Sequence, residues 1–337
     1  MMEYDPHEPG KRTLKYLKIT DDEDFFCKLN TVLQSADLLN SEKDIDASNL
    51  PIIYIVGAPR SGTTLLSQII SRYLPVGYIN NLIARFWLRP AVGIRLSEVL
   101  IGENGRNEIT FQSSFGTTRK IQEPHEFGYF WRQWFNLDQA PTHKLSTTFV
   151  NSLDREGLKA ALEKEILMSF QRPVVFKNVI CGFQASYLTA IHSRSLFIHI
   201  SRDPLTTAAS ILKSRKERFG SYDVWWSLKP SSWPFLQHDR DPSTEVALQV
   251  YECRREIDEE LLKPNVHGLH VTYEELCERP LFVLSQICQA LEKMGYPMKP
   301  IEQIIPEFYA SSKLQVPEEM FDKLRLTMKN IFNKEKS

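Results

Sequence analysis

The chain has 337 residues, 42% of them hydrophobic and 25% charged, and a formal net charge of −1. That length buries a sizeable core in one or two domains, and the near-neutral balance excludes bulk attraction to nucleic acid or anionic lipid, so any anion site is local. Five dispersed cysteines (Cys27, Cys181, Cys253, Cys277, Cys288) without a CxxC pair exclude a disulfide framework and a cysteine-rich zinc site, and suit a reducing, cytoplasmic setting.

In chain order, the opening MMEYDPHEPGKRTLKYLK lacks the apolar region of a secretory signal. No run approaches the ~18 apolar residues of a membrane span. Asp21 to Leu39 reads as a leading helix within an N-terminal helical extension over residues 1–50, followed by the polar stretch NSEKDIDASN. Pro51 to Pro59 is almost wholly apolar or β-branched, as in a strand buried on both faces of a parallel sheet. Residues 75–171 form a long, aromatic-rich insert, expected to be helical and to roof the acceptor side. Within it Leu158, Leu162, Ile166 and Phe170 recur every four residues, with Ala161 filling the stripe. Further strands are expected at Pro173–Asn178, Ser195–Ser201 and Gly268–Tyr273. A helix follows over Leu284, Ile287, Cys288 and Leu291, started by Pro280 and stopped by Gly295. Strands alternating with helices predict an α/β fold: one domain over 1–337, with a mainly parallel central sheet flanked by helices in the manner of P-loop nucleotide triphosphatases.

Two stretches carry chemistry. In GAPRSGTT, Gly57 and Gly62 permit a tight turn whose following helix points backbone N–H groups at an anion. The glycine spacing is that of a P-loop, but Thr63 stands where a triphosphatase has lysine, and Arg60 supplies the charge instead. In SRDPLTTAAS, Arg202 lies at the carboxyl end of a strand, where open α/β sheets hold ligands. Asp203 suits an N-cap, Pro204 the first helical position, and Ser210 lies two turns further on. Alone, Arg202 reads equally well as an exposed strand-end charge.

PRSGTT, SRDP with its later serine, and VTYEEL near the C-terminus together resemble the sulfotransferases that use 3′-phosphoadenosine 5′-phosphosulfate (PAPS), in their bacterial branch, over about Pro51 to Gly295. The resemblance implies that Arg60, Ser61, Gly62, Thr63 and Thr64 hold the 5′-phosphosulfate, and that Arg202 and Ser210 hold the 3′-phosphate. It implies sulfuryl transfer to a hydroxyl of a carbohydrate or small molecule, without metal, leaving 3′,5′-adenosine bisphosphate. The missing lysine fits, because a sulfuryl group carries less charge than the β,γ-phosphates that lysine and Mg²⁺ neutralise in triphosphatases.

A base must reach the acceptor hydroxyl. Where relatives place a glutamate after the first helix, this chain has Asn80 and Asn81, neither a useful base. The substitutes lie in QEPHEFGYFW: Glu123, His125, whose ordinary pKa of about 6.5 suits base work, and Glu126. The structural alternative is a helix starting at Pro124, with Glu123 as its cap and Glu126 in its first turn. Phe127, Tyr129, Phe130, Trp131 and Trp134 read as an acceptor platform or as core. Lys177, ending a strand, is placed to stabilise charge on the leaving oxygen. Tyr273 and Glu274 read as support for the site edge, Trp225, Trp226 and Trp233 as a lid or as loop anchors, and His199 as a buried, hydrogen-bonded residue. The other histidines show no ligand spacing, and no metal is expected. Two competing functions are a non-catalytic nucleotide-binding module and a P-loop small-molecule kinase, the latter lacking its lysine.

Overall fold

The computed structural model describes residues 12–35, 46–236, 241–310 and 316–334. Its centre is a five-stranded sheet of order β2-β3-β1-β4-β5, formed by β1 (Ile52–Val56), β2 (Gly77–Tyr78), β3 (Val174–Lys177), β4 (Ser195–Ser201) and β5 (His267–Thr272). Every pairing is parallel. Four strands lie where the apolar runs place them. β2 escapes sequence reading because two residues carry no periodicity.

Alternation along the buried strands feeds two cores, as a parallel sheet covered on both faces requires. Ile52, Tyr54 and Val56 face one core with Phe176 and Phe197; Ile53 and Ile55 face the other with Leu66, Ile69 and Ile70. On the first face Tyr54 stacks on Phe197 with ring centroids 4.8 Å apart, and Trp131 of the helix Gly128–Trp134 meets it edge-on at 6.0 Å. The insert therefore supplies a core layer, and its aromatic run is mostly spent there. Phe127, Phe130 and Trp131 are buried, which rules them out as an exposed acceptor platform.

The leading helix spans Thr20–Gln34; the expected end at Leu39 lies outside the described residues. The helix Pro280–Lys293 ends before Gly295, whose φ of 80° glycine adopts without strain. The four-residue stripe forms Arg155–Ala160 continued by a π-helical Ala161–Leu167, a widened turn that often marks function.

The insert is less helical than its composition suggests. Between the 3-10 helix Glu103–Glu108 and the helix Gly128–Trp134 the chain is irregular, pinned by isolated bridges Ser114–Thr117 and Asn80–Pro124. No helix starts at Pro124. Glu123 is drawn into the interior by Gln68 and Thr110, and Phe127 takes a left-handed φ of 55°, so the helix begins only at Gly128.

The helix after β1 packs on one face of the sheet, and that after β3, Ala185–Ile191, packs on the other. Diverging helices open a crevice at the carboxyl ends of adjacent strands. Those ends carry the Gly57–Gly62 loop, Lys177 and Arg202. No described helix is long and apolar enough to cross a membrane.

Candidate active site

The loop after β1 is shaped by close approaches. A Cβ on Gly57 would come within 2.4 Å of the Ile200 carbonyl oxygen on β4, and one on Gly62 within 2.3 Å of the Tyr273 ring. Gly62 also takes φ 106°, a conformation L side chains rarely adopt. The helix Thr63–Tyr73 follows directly, so its first N–H groups and positive dipole end face the loop. Ser61 is buried and its Oγ has no hydrogen-bond partner among the described residues.

Arg60 leaves this loop and donates from Nε to Ser210 Oγ at 3.0 Å, across 150 positions. The two motifs read separately in the sequence thus meet in space. Arg202 reaches the same loop through Tyr273: its guanidinium lies 4.4 Å from the ring centroid, and that ring is the one packed against Gly62. Glu274, beside Tyr273, accepts the backbone N–H of Asp203 at 3.2 Å. Asp203 caps its helix as expected, accepting from Thr206 N at 2.7 Å, and Pro204 takes the first helical position.

Lys177 ends β3 beneath the loop with 1% of its side chain exposed. Its Nζ donates to Thr64 Oγ1 at 3.2 Å and pairs with Glu126 Oε1 at 2.6 Å. Asn178 holds Glu126 in place by donating to its carbonyl at 3.0 Å. Burial works to raise the Glu126 carboxyl, but the charge and hydrogen bond of Lys177, then His125 and Arg218, outweigh it and hold the group below its ordinary value. Arg60 is pushed down to about 10, first by burial and then by Arg218 and Arg202. Mutually repelling guanidinium groups around one loop form a site that an anion stabilises.

His125 does not join this group. Its Nδ1 accepts the backbone N–H of Phe127 at 2.9 Å, so that nitrogen is already used. The ring lines a cavity of about 240 Å³ with Lys18, Glu23, Phe26, Ala84, Arg85, Trp87 and Tyr129. His125 is exposed, yet desolvation by the surrounding protein, then Lys177 and Arg85, pushes its pKa down to about 4 against the pull of Glu126. Glu123 is buried and committed to Gln68 and Thr110, which removes it as a base candidate. Asn80 caps the turn at Ile83, and Asn81 binds Thr118 and Lys120.

Sequence reading missed Arg218 and the strap above the loop. Arg218 donates to the Phe115 carbonyl at 3.0 Å, and the Phe115 ring lies 5.4 Å from Arg60 and 5.6 Å from Lys213. A Cβ on Gly116 would touch Arg60, Thr64 and Glu126 at 3.6–3.9 Å, so the strap sits directly over the cradle. The one available signal was spacing: Ser210, Ser214 and Arg218 are four apart and share a helix face. The tryptophan loop is an anchor. Trp225 and Trp233 are buried edge-to-face, 6.2 Å apart, in a cluster with Leu236.

Residues 51–294 match the model of the sulfotransferase family. The chain belongs to that family. Both motifs, Lys177 and Glu126 of this sulfotransferase fall inside the matched span. No curated protein matches it by sequence. Similar solved structures include sulfotransferase STF1 of Mycobacterium tuberculosis H37Rv (12% identity, 96% of this chain, 83% of that one, TM-score 0.49). Others are STF9 of Mycobacterium avium (13%, 92% and 72%, 0.45) and the sulfotransferase domain of the Synechococcus PCC 7002 olefin synthase (20%, 74% of each, 0.37).

Proposed function

We propose that this sulfotransferase moves the sulfuryl group of PAPS to a hydroxyl of a carbohydrate or small-molecule acceptor, releasing 3′,5′-adenosine bisphosphate. The observation that carries the reading is the Arg60–Ser210 hydrogen bond. It brings the loop expected to hold the 5′-phosphosulfate to the helix expected, with Arg202, to hold the 3′-phosphate. The fit is supported by the unpartnered Ser61 Oγ and by the convergence of Arg60, Arg202 and Arg218.

In this reading Ser61, Gly62, Thr63 and Thr64 orient the sulfuryl oxygens through hydroxyls and backbone N–H groups. Glu126 takes the proton of the acceptor hydroxyl as the new S–O bond forms. The bridging S–O bond breaks, and Lys177 stabilises the electron pair left on the departing oxygen. The base role goes to Glu126, because it shares Lys177 with Thr64 while the Nδ1 of His125 is occupied. His125 becomes a wall of the acceptor cavity, which residues of the 75–171 insert and of the N-terminal extension line together. One domain then carries both substrates, and the free thiols suit a cytoplasmic setting.

Titration of 3′,5′-adenosine bisphosphate and of 5′-AMP, without Mg²⁺, tests the reading. Arg202→Ala should weaken the bisphosphate far more than the monophosphate. Equal losses would remove the 3′-phosphate assignment, and Mg²⁺-dependent ATP binding would favour a kinase.

A further inference from the structure

His199 and His270 are 71 positions apart in sequence but stand in register on the adjacent parallel strands β4 and β5. Their rings lie 5.1 Å apart. Asp258, from the helix Pro242–Leu261 packed over this face, approaches both: its Oδ1 is 2.8 Å from His199 Nδ1 and 3.8 Å from His270 Nδ1. One ligand atom from each residue lies within 4.8 Å of the others. His199 is buried, and the nitrogen it turns to this cluster is Nδ1.

We propose that His199, His270 and Asp258 bind a divalent transition-metal ion, zinc foremost, that ties β4, β5 and the overlying helix together. Two imidazoles and a carboxylate suit zinc and disfavour the harder Mg²⁺ and Ca²⁺. Metal–ligand bonds of about 2.0–2.2 Å place ligand atoms ~3.4 Å apart in a tetrahedron. Reaching that from the present separations takes small movements of His270 and Asp258, whose side chains are 61% and 44% exposed and free to adjust. The open side leaves room for water as the fourth ligand. Arg254, one turn before Asp258, acts on both Asp258 and His270 and works against the ion.

The position gives the ion a structural role. His199 on β4 precedes Arg202, just past the strand end, by three residues, and His270 on β5 precedes Tyr273, just past its strand end, by three. A metal clamp at that level fixes the two strands just below the Arg202–Tyr273 contact. The proposal stands on these three side chains and is independent of the donor assignment.

The test is Zn²⁺ titration of the metal-stripped full chain by calorimetry, with the visible spectrum of the Co²⁺ form as a coordination readout. One equivalent should bind, raise the melting temperature, and show nitrogen-ligated Co²⁺ bands; Mg²⁺ should do none of these. His270→Ala and Asp258→Asn, at accessible positions, should each lose at least ~10-fold in affinity, Arg254→Gln should gain, and His267→Ala, on the same strand, should behave as the parent. Absence of a one-equivalent site, or unchanged affinity in both ligand variants with circular dichroism intact, overturns the proposal.

Discussion

Replacing Lys177 with methionine removes the cation that joins Glu126 to Thr64, in the first turn of the helix after the Gly57–Gly62 loop. The side chain has 1% exposure, and its Nζ is 2.6 Å from Glu126 Oε1 and 3.2 Å from Thr64 Oγ1. Breaking a fully buried pair costs about 3–5 kcal/mol. Glu126 is 49% exposed and regains water, so screening cuts the stability loss to roughly 1–2 kcal/mol. The catalytic loss is larger: removing a fixed donor from a developing oxyanion costs about 10²–10³ in kcat. The pH profile separates the two effects. Glu126 acts as a carboxylate, so turnover falls as pH drops through its folded pKa, which lies below the ordinary value. Without Lys177 the raising effect of burial is opposed less, and the acid limb moves upward. The stability this carboxylate contributes is present above its unfolded pKa, disappears as pH falls through the folded one, and shrinks in the variant. The assay is kcat/KM against pH, with donor affinity measured separately. An unmoved acid limb, together with kcat within about threefold of the parent, would refute the assignment of both residues.

Glu126→Gln should lower kcat by about 10²-fold or more, whereas His125→Ala should change KM for the acceptor and leave kcat within a few-fold; the reverse pattern would restore His125 as the base. Gly62→Ala should cost about 2–4 kcal/mol in urea denaturation, from the positive φ and the Tyr273 clash. In a Tyr273→Ala background part of that cost should vanish, and strict additivity would contradict the packing. Glu245→Gln leaves the fully buried Arg215 guanidinium without its carboxylate and should cost about 3 kcal/mol; a loss under ~0.5 kcal/mol, typical of surface positions, would show that water reaches the pair.

The sheet was legible because strands buried on both faces are near-continuous apolar runs: β1 wholly, β3 apart from Lys177, and β4 apart from Ser195, His199 and Ser201. β5, whose residues are mostly exposed, reads only as a shorter run of the same kind, Gly268–Tyr273. The tight turn after β1 was legible for a local reason: Gly57, Arg60 and Gly62 lie close together in the chain. Contacts between distant segments were not. Nothing in the sequence tells that Lys177 meets Thr64, since 113 positions separate them and only strand order makes them neighbours. Glu123, His125 and Glu126 look equivalent within one tetrapeptide, yet the left-handed turn at Phe127 and the pull of Gln68 send them to three environments. The His199–Asp258–His270 group was hidden for the same reason: its spacing belongs to the sheet register, not to the chain.

The central claim is sulfuryl transfer, and product formation tests it most directly. The chain is incubated with sulfur-labelled PAPS and a panel of hydroxylated glycans and metabolites, and labelled acceptor and 3′,5′-adenosine bisphosphate are quantified together. The account predicts equal amounts of both, persisting without added Mg²⁺ and collapsing in Lys177→Met. Transfer of a labelled γ-phosphate from ATP, with no sulfated product from any acceptor while the bisphosphate fails to bind, would contradict it.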